Sequence, residues 1–245
     1  MSLHRTFATS LRILRQLRHD HRTLGLVLFM PSILLIVLHY VFFDRVALFS
    51  TVAPQLLGVL PFVLMFIVSS VAVLRERSSG TLERLLVSPA SRLDIIVGYG
   101  LAFAVLALVQ TALASFITVT FLGVVIVGGF ASLLLCTTLA GLLGMAFGLL
   151  FSGFARNEFQ AVQFMPAFVL PQFLTCGLLV PRETMHQALQ YFADIMPITY
   201  VVDAMQRVQQ FATIDNDLRR DILVLVGFTL LAIVLGALSL RTSEK

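Results

Sequence analysis

Charged side chains are scarce in this sequence, and several familiar chemical motifs are missing from it. Asp, Glu, Lys and Arg together make up 12% of its 245 residues, and there is no Trp. The metalloprotease pattern HExxH, the hydrolase pattern GxSxG and the dithiol pattern CxxC do not occur, nor does the phosphate-binding pattern GxxxxGK followed by Ser or Thr. We therefore predict no catalytic residue, no metal site and no cofactor held by this chain.

Few of the remaining side chains are candidates for chemistry. The only two cysteines, Cys136 and Cys176, lie in apolar stretches, where a thiol usually acts as a small hydrophobe. Of the five histidines only His39 falls inside a predicted crossing. We favour a histidine whose hydrogen bonds are satisfied, or one at the membrane interface, over a proton carrier. No charge lies in the middle of an apolar segment, which disfavours both an ion-driven transporter and a membrane-embedded enzyme.

What the sequence has instead is apolar surface. Hydrophobic residues make up 58% of the chain and the mean hydropathy is +0.96, more than a soluble core of this length requires. The net charge of +4 could suggest nucleic-acid binding, but the basic residues cluster at the edges of apolar segments, where membrane topology explains them. The sequence predicts an all-α integral membrane protein without a nucleic-acid partner.

Six segments can cross a bilayer as helices, at about 20 residues per crossing. They cover approximately residues 24–43, 54–74, 95–122, 130–154, 160–180 and 222–240 within one transmembrane domain, 23–245. Residues 46–53 are assigned to the loop before the second crossing. The uncharged run from Ile95 to Ala155 could hold three short crossings or two long ones. With two, joined at Gly123, Gly128 and Gly129, both termini lie on one side.

The first 22 residues predict an amphipathic helix lying in the headgroup region. Leu3, Phe7, Leu11 and Leu14 form an apolar stripe at helical spacing. The arginines assigned to contact anionic membrane lipid lie largely on the other side; they are Arg5, Arg12, Arg15 and Arg22. A disordered basic flank is the alternative.

Residues 181–221 contain two amphipathic helices that are too short and too polar to cross, separated at Pro197. They can enter the membrane at 184–196 and return at 198–212, or they can lie flat on the outer surface. The residues themselves do not favour either arrangement.

A polar segment between the second and third crossings carries the most distinctive pattern. Thr81 can cap a short helix with an apolar face, Pro89 ends that helix, and Ser91 can cap the next crossing. A short ordered helix between two crossings offers another protein a surface to push on. The alternative is that the charges in this segment only determine the membrane topology of the chain.

This segment resembles the cytoplasmic loop of the permease subunits of type-two ABC exporters. The matching residues are Glu76, the Gly80-Thr81-Leu82-Glu83 run, Leu85-Leu86 and Ser88-Pro89 before an apolar helix. A second match, Pro197-Ile198-Thr199-Tyr200 with Asp203-Ala204, resembles the family's Asn-Pro-Leu-Thr-Tyr segment, with Met196 in place of Asn. Together the two motifs extend the resemblance over essentially the whole chain.

The resemblance implies a complex of two permease chains, expected to be identical, with two cytoplasmic ATPase chains that bind ATP and Mg. It also favours re-entry of residues 181–221 on the outer side, between the fifth and sixth crossings. The residues expected at the interface with the ATPase are Arg75, Glu76, Arg77, Gly80, Thr81, Leu82, Glu83, Arg84, Ser88, Pro89 and Arg156.

The distribution of Lys and Arg predicts the orientation. Twelve of these residues fall in the segments assigned to the inside and five in those assigned to the outside. Both termini are therefore predicted to lie in the cytoplasm, in a multi-pass protein of a bacterial plasma (inner) membrane.

For the cargo, the sequence offers an aromatic and thioether surface. We expect the second and fifth crossings to face each other at the seam of the dimer with Phe62, Met65, Phe66, Phe164, Met165 and Phe168. Such an adaptable apolar lining suits a hydrophobic drug or a lipid-like amphiphile. Export of a polysaccharide or glycolipid, and a regulatory membrane scaffold that transports nothing, are the alternatives.

Overall fold

The computed structural model describes residues 3–78 and 92–242, with side chains for residues 6–78 and 97–238. Within these ranges all regular structure is helical, which confirms the all-α class. The helices are α1 (Leu3–His19), α2 (His21–Val41), α3 (Val46–Ser78), α4 (Arg92–Thr120), α5 (Gly129–Ser152), α6 (Glu158–Thr175), α7 (Gln187–Ile195), α8 (Pro197–Gln210) and α9 (Asn216–Thr242), with a 3-10 turn at Arg182–Thr184.

Five of the described helices are long and apolar enough to cross a membrane, so the prediction of a multi-pass membrane protein is confirmed. They are His21–Val41, Val46–Ser78, Val97–Thr120, Gly129–Ser152 and Asn216–Leu238. The predicted crossing at 160–180 corresponds to α6, which is not among the five. This helix has 18 residues, ends at Thr175 and contains Gln160, Gln163 and Gln172, so a sixth crossing stays a prediction.

The uncharged run from Ile95 to Ala155 folds as two membrane-length helices, α4 and α5, as the two-crossing interpretation predicted. Gly123 lies in the turn between them and Gly129 is the first residue of α5, with φ of 66° and 80°. This left-handed region is open to glycine at little cost, which explains why the chain reverses here.

The assignment of residues 46–53 to a loop is wrong, because α3 begins at Val46 and continues through Pro54. Proline has no N–H, so the carbonyl of Ser50 loses its ordinary partner inside the helix. The side-chain amide of Gln209 on α8 donates to that carbonyl at 2.5 Å. A donor 159 residues away therefore replaces the missing bond and lets the helix continue.

This arrangement predicts coupling between Gln209 and Pro54. Replacing Gln209 by Leu should lower the free energy of unfolding by about 1–3 kcal/mol, since the Ser50 carbonyl is left without a donor. In a Pro54→Ala background the same replacement should cost less, because the substituted alanine supplies its own N–H. A double-mutant cycle of unfolding measures the difference. Equal costs in both backgrounds would show that Gln209 does not compensate for Pro54.

Helix α3 packs more extensively against α5 than against any other described helix. Small residues allow the close approach: a Cβ atom on Gly144 would overlap the carbonyl of Phe62, and one on Gly148 would overlap that of Phe66. The hydroxyl of Ser69 donates to the Met145 carbonyl across the contact at 3.1 Å. Close packing of small residues is how helices associate where lipid removes the hydrophobic driving force.

The first described helix, α1, and the carboxyl end of the last, α9, lie at the same end of the molecule. We call this the amino-terminal end; it contains α1, the last turn of α3 and the first turn of α6. Gly236 of α9 lies against Leu150, near the end of α5, so the carboxyl end of α9 lies there too. At the opposite end, Gly128 donates its N–H to the Val208 carbonyl at 2.8 Å. The side of the membrane that each end faces stays a prediction.

Candidate functional site

Three successive charged residues end α3, and each contacts a different element. The contacts join Arg75 to Glu158 at the start of α6, Glu76 to Arg12 of α1, and Arg77 to the carbonyl of Gly153 after α5. Successive helical residues point about 100° apart, so one turn can reach three neighbours. The last turn of α3 is therefore braced on three sides immediately before residue 79.

The Arg75–Glu158 pair is bidentate. Its two N–H···O distances are 2.9 Å and 3.1 Å, and its side chains are 57% and 50% exposed. The hydrogen bond from Arg75 holds the pKa of Glu158 below its usual value. Exposed pairs of this kind contribute about 0–1 kcal/mol, so this one orients α6 against α3 more than it stabilises the fold.

The Arg12–Glu76 pair is less exposed. Its N···O distance is 3.2 Å, and the side chains are 31% and 13% exposed. It joins α1 to the last turn of α3, although the two residues are 64 positions apart in the chain. A displacement of either element is therefore transmitted to the other.

The loop before α6 is ordered by reciprocal capping. The side chain of Asn157 accepts from the Gln160 N–H at 2.8 Å, and the side chain of Gln160 accepts from the Arg156 N–H at 2.9 Å. The Arg156 side chain is exposed next to Glu158. Four predicted interface residues, Arg75, Glu76, Arg77 and Arg156, are thus brought to one end, with Glu158 added. Glu158 could have been predicted from the sequence, because it is the lone carboxylate directly after Asn157.

The other predicted interface residues lie outside the part of the chain that the structure describes. They are Gly80, Thr81, Leu82, Glu83, Arg84, Ser88 and Pro89. Their assignment to an ATPase interface stays a prediction.

Helix α1 packs on α4 through a face that the apolar stripe did not indicate. Thr6, Thr9 and Ser10 are buried with Ile13, and a Cβ atom on Gly98 of α4 would lie 2.7 Å from the Cβ of Thr9. The small residues Thr6, Thr9 and Ser10 lie at helical spacing and could have indicated this contact. The sequence prediction instead followed the more conspicuous stripe of large apolar residues.

The predicted apolar stripe and the arginines of α1 remain largely on the surface. Phe7 is 67% exposed and Leu11 38%. Arg15 and Arg22 are exposed, while Arg12 is engaged with Glu76. The helix ends at His19, so Arg22 belongs to the first turn of α2, and the side chain of Arg5 lies outside the described ones.

Phenylalanines from three helices form an aromatic cluster. Four of the predicted cargo-contacting residues belong to it, joined by two phenylalanines of α5 that the sequence did not single out: Phe62, Phe66, Phe147, Phe151, Phe164 and Phe168. Phe168 lies centrally, with its ring centroid 4.9 Å from that of Phe147 and 5.0 Å from that of Phe151.

Burial separates the two halves of the predicted cargo surface. Phe62, Met65 and Phe66 are fully buried within this one chain, so in this conformation they fill the core and do not line an open seam. Met65 packs in a different cluster, beside Phe103. The α6 residues Phe164, Met165 and Phe168 are partly exposed. A cargo path along α6 stays a prediction.

The second motif holds the junction between α7 and α8. Pro197 begins α8, and the next N–H, of Ile198, donates to the side-chain oxygen of Gln172 on α6 at 3.3 Å. Thr199 Oγ1 donates to the Ala193 carbonyl at 2.7 Å, and Tyr200 Oη donates to the Asp194 carbonyl at 2.6 Å. The motif therefore satisfies backbone groups at two helix ends, and Gln172 is a partner that the sequence did not indicate.

Ion pairs connect the elements at the opposite end. Arg182 contacts Asp203 of α8 at 2.7 Å. Arg207 of α8 contacts three carboxylates near the start of α9; these are Asp215 at 2.9 Å, Asp217 at 3.1 Å and Asp221 at 3.5 Å. These pairs attach α8 to its neighbours on both sides.

Comparison of the sequence with known proteins finds similarity to transporters. Residues 5–209 match the protein family described as ABC-2 type transporter. The chain is 30% identical over 157 residues to the probable multidrug ABC transporter permease YbhR of Escherichia coli (strain K12), covering 64% of this chain and 43% of that protein.

Two further relatives are similar. ABC transporter G family member 20 of Dictyostelium discoideum is 28% identical over 156 residues, 64% of this chain and 21% of that protein. Inner membrane transport permease YhhJ of Escherichia coli (strain K12) is 29% identical over 146 residues, which cover 59% of this chain and 39% of that protein. The chain thus spans less than half the length of each of these relatives.

Proposed function

Because the chain belongs to the ABC-2 transporter family, we propose that it is the membrane-spanning permease subunit of an ATP-driven exporter. A separate ATPase subunit binds ATP and Mg and supplies the energy. The observation that carries this proposal is the bracing of the last turn of α3 by α1, α6 and the segment after α5. A push on the segment after Ser78 then reaches three elements together.

In the proposed cycle, two copies of the chain pair with two ATPase chains. The segment 79–91 rests on the ATPase, with Arg156 adding a contact. Closure of the ATPase pair moves α3, and the Arg12–Glu76 and Arg75–Glu158 pairs carry α1 and α6 with it. The two permease chains rock about their common axis and expose the cargo on the outside.

We further propose six crossings, with α6 as the fifth, and an outer hairpin of α7 and α8 that re-enters the membrane. The start of α8 contacts Gln172, within α6. Val201 and Met205 lie against Gly58, 12 residues after Val46, or about 18 Å along α3. Gln209 reaches Ser50 near the start of α3. This inclined path favours re-entry over a helix pair that lies flat.

The amino-terminal end is proposed to face the cytoplasm of a bacterial cell, across its plasma (inner) membrane. The excess of Lys and Arg in the segments at this end supports the orientation. The exposed Phe7 and Leu11 suit a helix that lies in the headgroup region.

As cargo we propose a hydrophobic or amphiphilic drug or a lipid-like molecule. The relative YbhR is named as a probable multidrug permease. The partly exposed aromatic and thioether side chains of α6 are suited to apolar cargo of varied shape.

Reconstituted vesicles test the proposal. The chain and its ATPase should move an amphiphilic dye only when ATP is hydrolysed. Glu83→Arg or Gly80→Pro should lower the rate of this transport about tenfold or more, equivalent to about 1.4 kcal/mol of activation free energy. Both changes should also weaken co-purification of the ATPase, because they alter the expected contact.

Glu183→Arg is the matched control, since it makes the same charge reversal at an exposed site of the opposite end. It should leave transport unchanged. Full transport by Glu83→Arg would contradict the coupling role, and no ATP-dependent transport by the native pair would favour a regulatory scaffold.

A further inference from the structure

An apolar groove of about 230 Å³ lies beside α1, between that helix, the first turns of α2 and the middle of α4. Its wall includes Leu14 and Leu17 of α1, Leu24 and Leu28 of α2, and Val105 and Val109 of α4. Among the described residues, no acidic side chain lines it. A polar group placed against such a wall would lose its hydrogen bonds to water without replacement. The groove therefore suits a hydrocarbon chain.

The α4 side of the groove is open toward the surroundings of the protein. Val105 and Val109 are 48% and 49% exposed, and Leu101, one turn earlier on α4, is 45% exposed. This part of α4 belongs to a helix that is long and apolar enough to cross a membrane, so its exposed face meets the hydrocarbon of the bilayer. An acyl chain of a lipid can enter the groove from the side without any helix moving.

A single charged residue, Arg18, lines the groove at the end nearer the membrane surface. It belongs to the last turn of α1, three residues before α2 begins at His21. Leu28 lies seven residues into α2, about 10 Å farther along that helix. An arginine can lay its methylene groups on apolar surface and keep its guanidinium among lipid headgroups. The charge thus lies where the phosphate of a lipid arrives when its chain occupies the groove.

The Arg18 guanidinium is available to an external anion. Its side chain is exposed, and among the described residues no hydrogen bond or ion pair engages it. The next carboxylate in the chain, Asp20, caps α2 through Thr23 and lines a separate cavity toward α3. Arg12, in contrast, already contacts Glu76. Arg18 can therefore bind a phosphate without giving up a contact inside the protein.

We propose that this groove is a discrete binding site for one anionic phospholipid, which lays part of an acyl chain against α2 and α4 and brings its phosphate to Arg18. The site is distinct from the general attraction of the α1 arginines to an anionic surface, because it requires the groove as well as the charge. Binding requires neither an ATPase nor cargo, so this inference goes beyond the proposed function and can fail independently of it.

The lack of Trp allows a single fluorescent reporter to be placed beside the groove. In Leu101→Trp the indole lies one turn from Val105, where bromine atoms on a bound acyl chain would quench it. The matched reporter is Val234→Trp on α9, at a position that is 55% exposed. Leu101 lies four residues after Val97 and Val234 four residues before Leu238, so the two reporters are equally far from the ends of their membrane spans.

Each reporter chain is reconstituted in phosphatidylcholine vesicles that contain a small fraction of brominated lipid. At Leu101→Trp, brominated phosphatidylglycerol should quench with about fivefold higher apparent affinity than brominated phosphatidylcholine. This is the preference expected from the roughly 1 kcal/mol that one arginine contributes near an anionic lipid. At Val234→Trp the two brominated lipids should quench alike. Soluble glycerol phosphate should not compete, because it has no acyl chain; competition by it would contradict a lipid site.

Two pairs of variants in the Leu101→Trp chain locate the lipid. Arg18→Gln should abolish the preference for phosphatidylglycerol. Arg15→Gln removes an exposed arginine of the same helix that does not line the groove, and it should retain most of the preference. Val109→Phe should fill the groove and remove the preference, whereas Leu108→Phe adds the same ring at a 46% exposed position outside the groove and should preserve it.

Elution profiles and helix content by circular dichroism establish that each variant is folded. If Val109→Phe does not fold, the two arginine variants still decide the question. The same preference at both reporters would show a general enrichment of anionic lipid around the protein and would overturn the proposal. No preference at either reporter, or equal losses in Arg18→Gln and Arg15→Gln, would overturn it as well.

Discussion

Gly144→Ala is expected to lower the free energy of unfolding by about 3 kcal/mol or more, at the upper part of the range for overpacked sites. The added methyl would overlap the carbonyl group and the Cα atom of Phe62. These are backbone atoms of α3, and they cannot rotate aside as a side chain does. Helix α3 must therefore move away from α5, and the Ser69–Met145 bond is lost with the contact.

Gly100→Ala is the matched control, because a Cβ atom at this helical position would meet nothing within 4 Å. Alanine is a better helix former than glycine by about 1 kcal/mol, so this variant should be neutral or slightly more stable. Thermal unfolding in detergent compares the two variants. A Gly144→Ala protein that melts with the native chain would show that α3 and α5 do not approach as closely as described.

Arg207→Met should produce the second large effect, a loss of about 2–3 kcal/mol. Removing one partner of a fully buried ion pair costs about 3–5 kcal/mol, and the value is reduced here because the Arg207 side chain is 26% exposed. Three carboxylates lose this partner, and one of them, Asp221, is completely buried. Repulsion among them should separate the start of α9 from α8 and loosen the intervening residues 211–215, most of which are already exposed, so that proteases cleave there faster.

Arg219→Met removes the same charge from an exposed side chain that makes no ion pair among the described residues, so it should change stability little. Melting temperature and the rate of limited proteolysis measure both variants. Added salt should partly restore Arg207→Met, since it screens the remaining carboxylates. Equal melting of the two variants would show that Arg207 does not hold α8 to α9.

Several features of the fold could be predicted from local pattern. The lengths of the apolar runs indicated the membrane helices, and Gly123 and Gly129 indicated the turn between α4 and α5. Pro197 indicated the break between α7 and α8. Each of these depends on composition or backbone conformation within a few residues, which a sequence displays directly.

The candidate site was predictable in part. The group of charges at Arg75–Arg77 marked the end of α3, but not the partners Glu158 and Arg12. The aromatic residues of α3 and α6 were expected at the seam of the dimer, whereas the structure packs them together within one chain. The burial of Phe62 and Phe66 was not predicted, because a phenylalanine on a membrane helix can face lipid or protein without changing the sequence pattern.

By itself the sequence determined the class of protein, the approximate position of each apolar helix and the two motifs that indicated its family, since hydrophobic length and turn residues are local properties. Only the tertiary structure decided which face of α1 meets α4, why α3 continues through Pro54, and which residues brace the last turn of α3. These features depend on pairs far apart in the chain, such as Gln209 with Ser50, whose energies exist only after the helices have packed.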